Sequence, residues 1–152
     1  MTAPRVVLVD DHELVRAGLA ELLAAADDIE VLATAADGRE AIQVVERASP
    51  QVVLMDLSMP GMDGVEATRR ILSVHPAVRV VALTSASDAR NVMAALDAGA
   101  IGYLLKDATP EELRAGIRAA RARRVAPVPE GRANPDLGTR PDRPGGAQPA
   151  RA

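Results

Sequence analysis

The chain has 152 residues and a formal net charge of −3, contains no cysteine, and carries one aromatic side chain, Tyr103. That length holds one domain of common size and a tail. The missing cysteines exclude a disulfide framework and a thiolate zinc site, and the mild acidity gives no electrostatic footprint for nucleic acid. About half of the residues are hydrophobic and nearly all of these are aliphatic, so the core must be built from Val, Leu, Ile, Ala and Met. Thr2-Ala3-Pro4-Arg5 leads straight into a strand-like run with no signal peptide, and no apolar stretch approaches membrane-spanning length. A reducing, cytoplasmic setting is expected.

In chain order, Val6 to Val9 reads as a strand ending in two acids, Asp10 and Asp11. Glu13 to Ala26 reads as a helix with Leu14, Leu19, Leu22, Leu23 and Ala26 on one side. A second strand, Glu30 to Thr34, leads to a helix over Arg39 to Arg47 that Asp37 can cap. The apolar run Val52 to Met55 stops at Asp56, and the turn-rich Leu57-Ser58-Met59-Pro60-Gly61-Met62-Asp63-Gly64 follows, through which no buried strand can continue. The next helix is Val65 to Val74, where Glu66 can pair with Arg69 or Arg70.

Val78 to Leu83 is a fourth strand, with Thr84 at its end. Its helix, Ala89 to Ala98, can be capped by Ser87 or Asp88 and stopped by Gly99. Tyr103 to Leu105 is a short fifth strand, followed by Lys106. Thr109-Pro110-Glu111-Glu112 then supplies an N-cap, a proline at the first helical position and a capping-box glutamate for a helix over Glu111 to Arg123. Arg114, Arg118 and Arg121 share one side of that helix and are read as a solvated face.

Five strand-helix pairs with short connections predict an α/β fold, a doubly wound five-stranded parallel sheet with five helices. Residues 1–123 form this domain and are net −5. Residues 124–152 are net +2, rich in Pro, Gly and Arg and without apolar periodicity, and are expected to be a disordered tail.

Open parallel sheets place their chemistry at the carboxyl ends of the strands. That edge would gather Asp10, Asp11, Asp56, Thr84 and Lys106. Three carboxylates packed together repel one another, so the site calls for a hard, oxygen-loving cation such as Mg²⁺. A carboxylate can attack phosphorus, while Mg²⁺, an ammonium and a hydroxyl stabilise the charge on the transferring oxygens. His12 is read as a solvent-facing residue beside these acids, His75 as structural, and Met59 and Met62 as packing.

Across residues 5–123 these motifs resemble the receiver domain of bacterial two-component response regulators. Asp10-Asp11 is similar to the acidic pair of that family, Asp56 to its phosphoacceptor, Met59 to Gly64 to the loop after it, Thr84-Ser85 to its switch hydroxyl, and Lys106 to its lysine. Tyr103 occupies the switch-aromatic position. The resemblance implies a flavodoxin-like strand order of 2-1-3-4-5, and Mg²⁺ held by Asp11, Asp56 and the carbonyl of Ser58, with Asp10 acting through water. It also implies a phosphoryl group delivered by a sensor histidine kinase, with self-catalysed transfer and hydrolysis and no separate substrate.

Gly99-Ala100-Ile101-Gly102-Tyr103-Leu104-Leu105-Lys106-Asp107 is similar to the NarL/FixJ class, whose members usually continue into a helix-turn-helix domain, whereas no such domain follows here. Asp107 stands where many receivers have proline, so no cis-proline turn is expected. Output is expected through a homodimer or partner contact at the fourth helix, fifth strand and fifth helix, with neither specific nucleic-acid binding nor a membrane. The alternative is a NarL/FixJ transcriptional regulator shortened by truncation or a frameshift. A phosphatase of the haloacid dehalogenase kind is disfavoured, because Ser58 stands where that family needs a second acid.

Overall fold

A computed structural model describes residues 3–85 and 88–122. The elements in chain order are β1 (Arg5–Val9), α1 (Glu13–Ala24), β2 (Glu30–Ala35), α2 (Gly38–Ala48), β3 (Val52–Asp56), α3 (Gly64–Val74), β4 (Arg79–Thr84), α4 (Ala89–Ala98), β5 (Gly102–Leu105) and α5 (Pro110–Arg121). The strands form one parallel sheet in the order β2-β1-β3-β4-β5, as expected. The expected tail, Arg123 and Arg124, and Ser87 as a cap lie outside the described residues.

The strands are apolar on both sides because both sides are covered. Val7, Val9, Val53 and Met55 pack with Ala41, Val44, Ala67, Ile71, Val92 and Ala95 of α2, α3 and α4. Their neighbours Val6, Leu8, Val52 and Leu54 point the other way, toward Leu23 of α1 and Leu113, Ile117 and Ala120 of α5. The period-2 alternation therefore sorts one hydrophobic run into two cores. On the edge strand β5 the same alternation sends Tyr103 to the first core and Leu104 to the second.

The helix ends follow their local chemistry. Asp37 accepts from the Glu40 N–H at 2.8 Å, and Thr109 and Glu112 complete the capping box before α5. Gly99 stops α4 at φ 116°, a conformation that a side chain disfavours. Ser49, with φ 51°, ends α2 without a glycine. Asp88 stands at the N-cap of α4, but its carboxylate accepts from the Asn91 side chain and not from the helix backbone. His75 closes α3 and reaches Glu46 of α2 at 3.2 Å.

Several expectations need correction. Besides the missing Asp88 cap, α1 ends at Ala24 and α5 at Arg121, each two residues early, and Leu14 is 87% exposed although its spacing put it with Leu19 and Leu23. The first turn of α1 starts just after the carboxyl end of β1, where the sheet has run out beneath it. The basic side of α5 is also not simply solvated: Arg118 binds Asp28 in the α1–β2 connection at 2.6 Å.

Candidate functional site

At the carboxyl edge, β1 and β3 each pass within one residue from a fully buried aliphatic side chain to a fully buried acid. Val9 gives way to Asp10 and Met55 to Asp56, all four with no exposed surface. The backbone sets these acids firmly. The Asp10 N–H continues the ladder to the carbonyl of Ala35 at 3.1 Å, and the Arg16 guanidinium donates to the Asp10 carbonyl at 2.8 Å. One oxygen of Asp10 accepts the His12 N–H at 2.8 Å and closes the turn into α1.

The loop after Asp56 is fixed from three directions. Leu57 N–H reaches the carbonyl of Leu83 at 3.2 Å, and Ser58 N–H donates to Asp56 Oδ1 at 3.1 Å. Asp63 caps α3 by accepting from the Glu66 N–H at 2.9 Å. Helix α3 starts so close to the end of β3 that a Cβ on Gly64 would lie 2.2 Å from the Asp56 carbonyl oxygen. Only glycine fits there.

Across the sheet, Lys106 N–H binds the carbonyl of Thr84 at 2.8 Å, which brings the end of β5 level with that of β4. The Lys106 ammonium lies 3.0 Å from Asp56 Oδ1 and 3.8 Å from Asp10 Oδ2. Thr84 is buried, and its hydroxyl donates to the carbonyl of Ser85 at 3.2 Å. Tyr103 is half-buried three residues before the lysine.

Electrostatically the site is underpaid. Asp10 Oδ2, Asp11 Oδ1 and Asp56 Oδ2 are buried and accept no hydrogen bond. Burial raises the Asp56 carboxyl above the ordinary range; the hydrogen bonds from Lys106 and the Ser58 N–H oppose that shift, and the charge of Asp10 adds to it. One ammonium cannot neutralise three carboxylates. Orphaned oxygens converging beside a single cation are the condition that a hard dication relieves. Asp10, Asp11, His12 and Asp56 each offer a ligand atom within 4.8 Å of the others.

The structure thus brings together Asp10, Asp11, Asp56 and Lys106 as the sequence suggested, with Ser58 attached through its N–H and Thr84 at the end of the adjoining strand. His12, read as a solvent-facing residue beside these acids, is exposed, and its Nδ1 lies 3.3 Å from Asp10 Oδ1 and 3.2 Å from Asp11 Oδ1.

Residues 6–118 match the family model described as the response regulator receiver domain. The transcriptional regulatory protein YhcZ of Bacillus subtilis (strain 168) is 50% identical over 109 residues, covering 72% of this chain and 51% of that protein. LiaR of the same organism, also a transcriptional regulatory protein, is 47% identical over 116 residues, covering 76% and 55%. The chain spans about half the length of the curated relatives it matches. A two-component response regulator of the LuxR family from Aurantimonas sp. SI85-9A1 superposes with a TM-score of 0.78 at 38% identity, covering 85% of this chain and 92% of that structure. The strand order, the acidic edge and these matches together make the chain a member of the response regulator receiver domain family, whose work is two-component signalling.

Proposed function

We propose that the carboxyl-edge site accepts a phosphoryl group on Asp56 from the phosphohistidine of a sensor histidine kinase, with Mg²⁺ bound. The observation that carries this reading is the state of Asp56: buried, one oxygen held by Lys106 and the Ser58 N–H, the other without a partner. The held oxygen fixes the carboxylate plane. The free one is available to attack phosphorus. In this reading Lys106 and Mg²⁺ stabilise charge on the equatorial oxygens, and Asp11, Asp56 and the Ser58 carbonyl hold the ion, with Asp10 contributing through water. Thr84 turns its hydroxyl from Ser85 to the phosphoryl group, and Tyr103 follows it inward, which favours a conformation already populated in part.

The reaction modifies the protein itself, so the chain is a signalling domain that transfers and hydrolyses its own phosphoryl group. Residues 1–123 are the receiver and 124–152 a tail. The surface formed by α4, β5 and α5 carries the signal to a second copy or a partner, because β5 runs from that surface to Lys106. Its cytoplasmic location follows from the kinase partner, and no described helix is long and apolar enough to cross a membrane. A second reading is favoured by the transcriptional regulators among the relatives: the chain corresponds to the receiver half of such a regulator, with DNA recognition belonging to the other half.

The test uses a small phosphodonor with Mg²⁺ and intact-mass measurement. Wild type is expected to gain one phosphoryl mass and Asp56→Asn none. Equal incorporation by Asp56→Asn would remove Asp56 from this role.

A further inference from the structure

We propose that the amino edge of the sheet, at the opposite end of the strands from the acidic cluster, holds a binding site for a small phosphate-bearing anion of the diphosphate class. The starts of β1, β3 and β4 are locked level there: the Gln51 N–H donates to the Arg5 carbonyl and the Arg79 N–H to the Gln51 carbonyl, both at 2.9 Å. Those three residues and Arg121, in the last turn of α5, line a cavity of about 290 Å³, with Pro50 and Val78 in its wall. Three arginines from three separate elements thus border one hollow, and no acid is among the described residues that line it. Gln51 and Asp56 are five residues apart along β3, roughly 17 Å. That exceeds a Debye length at physiological salt, so the acids at the far edge do little to repel an anion here.

The cationic groups are anchored. The Arg5 guanidinium donates to the Ser49 carbonyl at 2.7 Å, and the Arg5 N–H holds Gln51 Oε1 at 3.0 Å. The Arg79 guanidinium donates to the Ala77 carbonyl. A guanidinium has five donors in a rigid fork, so a contact to a neutral carbonyl sets its plane and leaves donors for a second partner. Two acids of the same edge are engaged elsewhere, Asp28 by Arg118 at 2.6 Å and Glu46 by His75 at 3.2 Å. Glu30 lies level with Arg5 on β2, yet Arg5 makes no ion pair among the described residues. Guanidinium forks match phosphate oxygens bidentately. One carboxylate brings a single charge and two oxygens to three cations, whereas a diphosphate brings several charges and enough terminal oxygens to serve every fork. The cavity lies at the small end of ligand pockets, which start at about 300 Å³, and so suits such a headgroup by itself.

The full-length chain in Mg²⁺-free buffer is titrated calorimetrically with pyrophosphate and with citrate, a carboxylate anion of similar charge, as wild type, Arg5→Gln and Arg121→Gln. Pyrophosphate is expected to bind wild type about tenfold more tightly than citrate, and each substitution to weaken it by about tenfold. Equal affinity for the two anions would overturn the phosphate assignment, and a pyrophosphate affinity unchanged by either substitution would overturn the site. A measurement on wild type alone guards against a folding defect: pyrophosphate should shift the backbone amide resonances of Gln51 and Arg79 and leave those of Asp56 and Lys106 in place. Shifts confined to the acidic edge would also overturn the proposal. Asp56→Asn should bind pyrophosphate as wild type does, so this site stands or falls apart from the reading of Asp56 as phosphoacceptor.

Discussion

The bodies of the central strands and their carboxyl ends lie one residue apart and obey opposite rules. Val7, Leu8, Val53, Leu54, Val81 and Ala82 are buried against aliphatic neighbours on both sides of the sheet, with their backbone groups used in the ladders. Asp10 and Asp56 are equally buried but keep oxygens that accept no hydrogen bond. Burial by itself therefore does not distinguish structure from function here. What distinguishes them is whether the buried group has what it needs: the strand bodies are complete, and the ends keep buried carboxylate oxygens that accept no hydrogen bond.

Substitutions on the two sides of that boundary should differ in sign as well as size. Leu54→Ala, in the body of β3, is expected to cost about 3 kcal/mol through the cavity it leaves and to lower Tm by roughly 10 °C. A loss below about 1 kcal/mol would mean that the strand body is not the packed, complete region described.

At the boundary itself, Lys106→Ala removes the ammonium facing Asp56 and Asp10 and should cost about 2 kcal/mol, since it leaves buried carboxylates with no cation. Phosphoryl incorporation should also slow, by a factor on the order of 10². Measured by denaturant titration, the stability loss should shrink when Asp56→Asn is combined with it. Strict additivity of the two changes would show that Lys106 is not there for Asp56.

The smallest effect has the opposite sign. Asp56→Asn is expected to stabilise the metal-free protein at neutral pH by about 1 kcal/mol, close to a 4 °C rise in Tm. Burial raises the Asp56 carboxyl in the folded state, so its ionisation opposes folding at every pH above the folded-state value. As pH falls through that value the opposition fades, and it vanishes below the ordinary carboxylate value of the unfolded chain. The advantage of Asp56→Asn should fade over the same interval. An advantage that grows with acidification would contradict the burial argument.

The same boundary explains what the sequence made legible. Apolar runs cut off by an acid, a hydroxyl or a lysine marked the ends of β1, β3, β4 and β5, so Asp10, Asp56, Thr84 and Lys106 could be placed from the sequence. The capping box at Thr109 and the glycine stop at Gly99 were legible for a similar reason, because each is decided within a few residues of chain. Leu14 was misplaced because helical periodicity says which residues share a side, not how far the sheet extends beneath them. The Arg118–Asp28 pair joins residues 90 positions apart, and no local spacing encodes it. Ser49 in the left-handed region gave no glycine to read.

Tyr103 has a practical consequence. With no tryptophan and no phenylalanine in the chain, this one ring on β5 is the source of all its intrinsic near-ultraviolet fluorescence. It sits half-buried three residues before the lysine that contacts Asp56, so a change in its quantum yield or anisotropy is a single-site optical signal from beside the site. Any change at the acidic edge that reaches β5 can then be followed in real time on the unlabelled chain, without averaging over other chromophores.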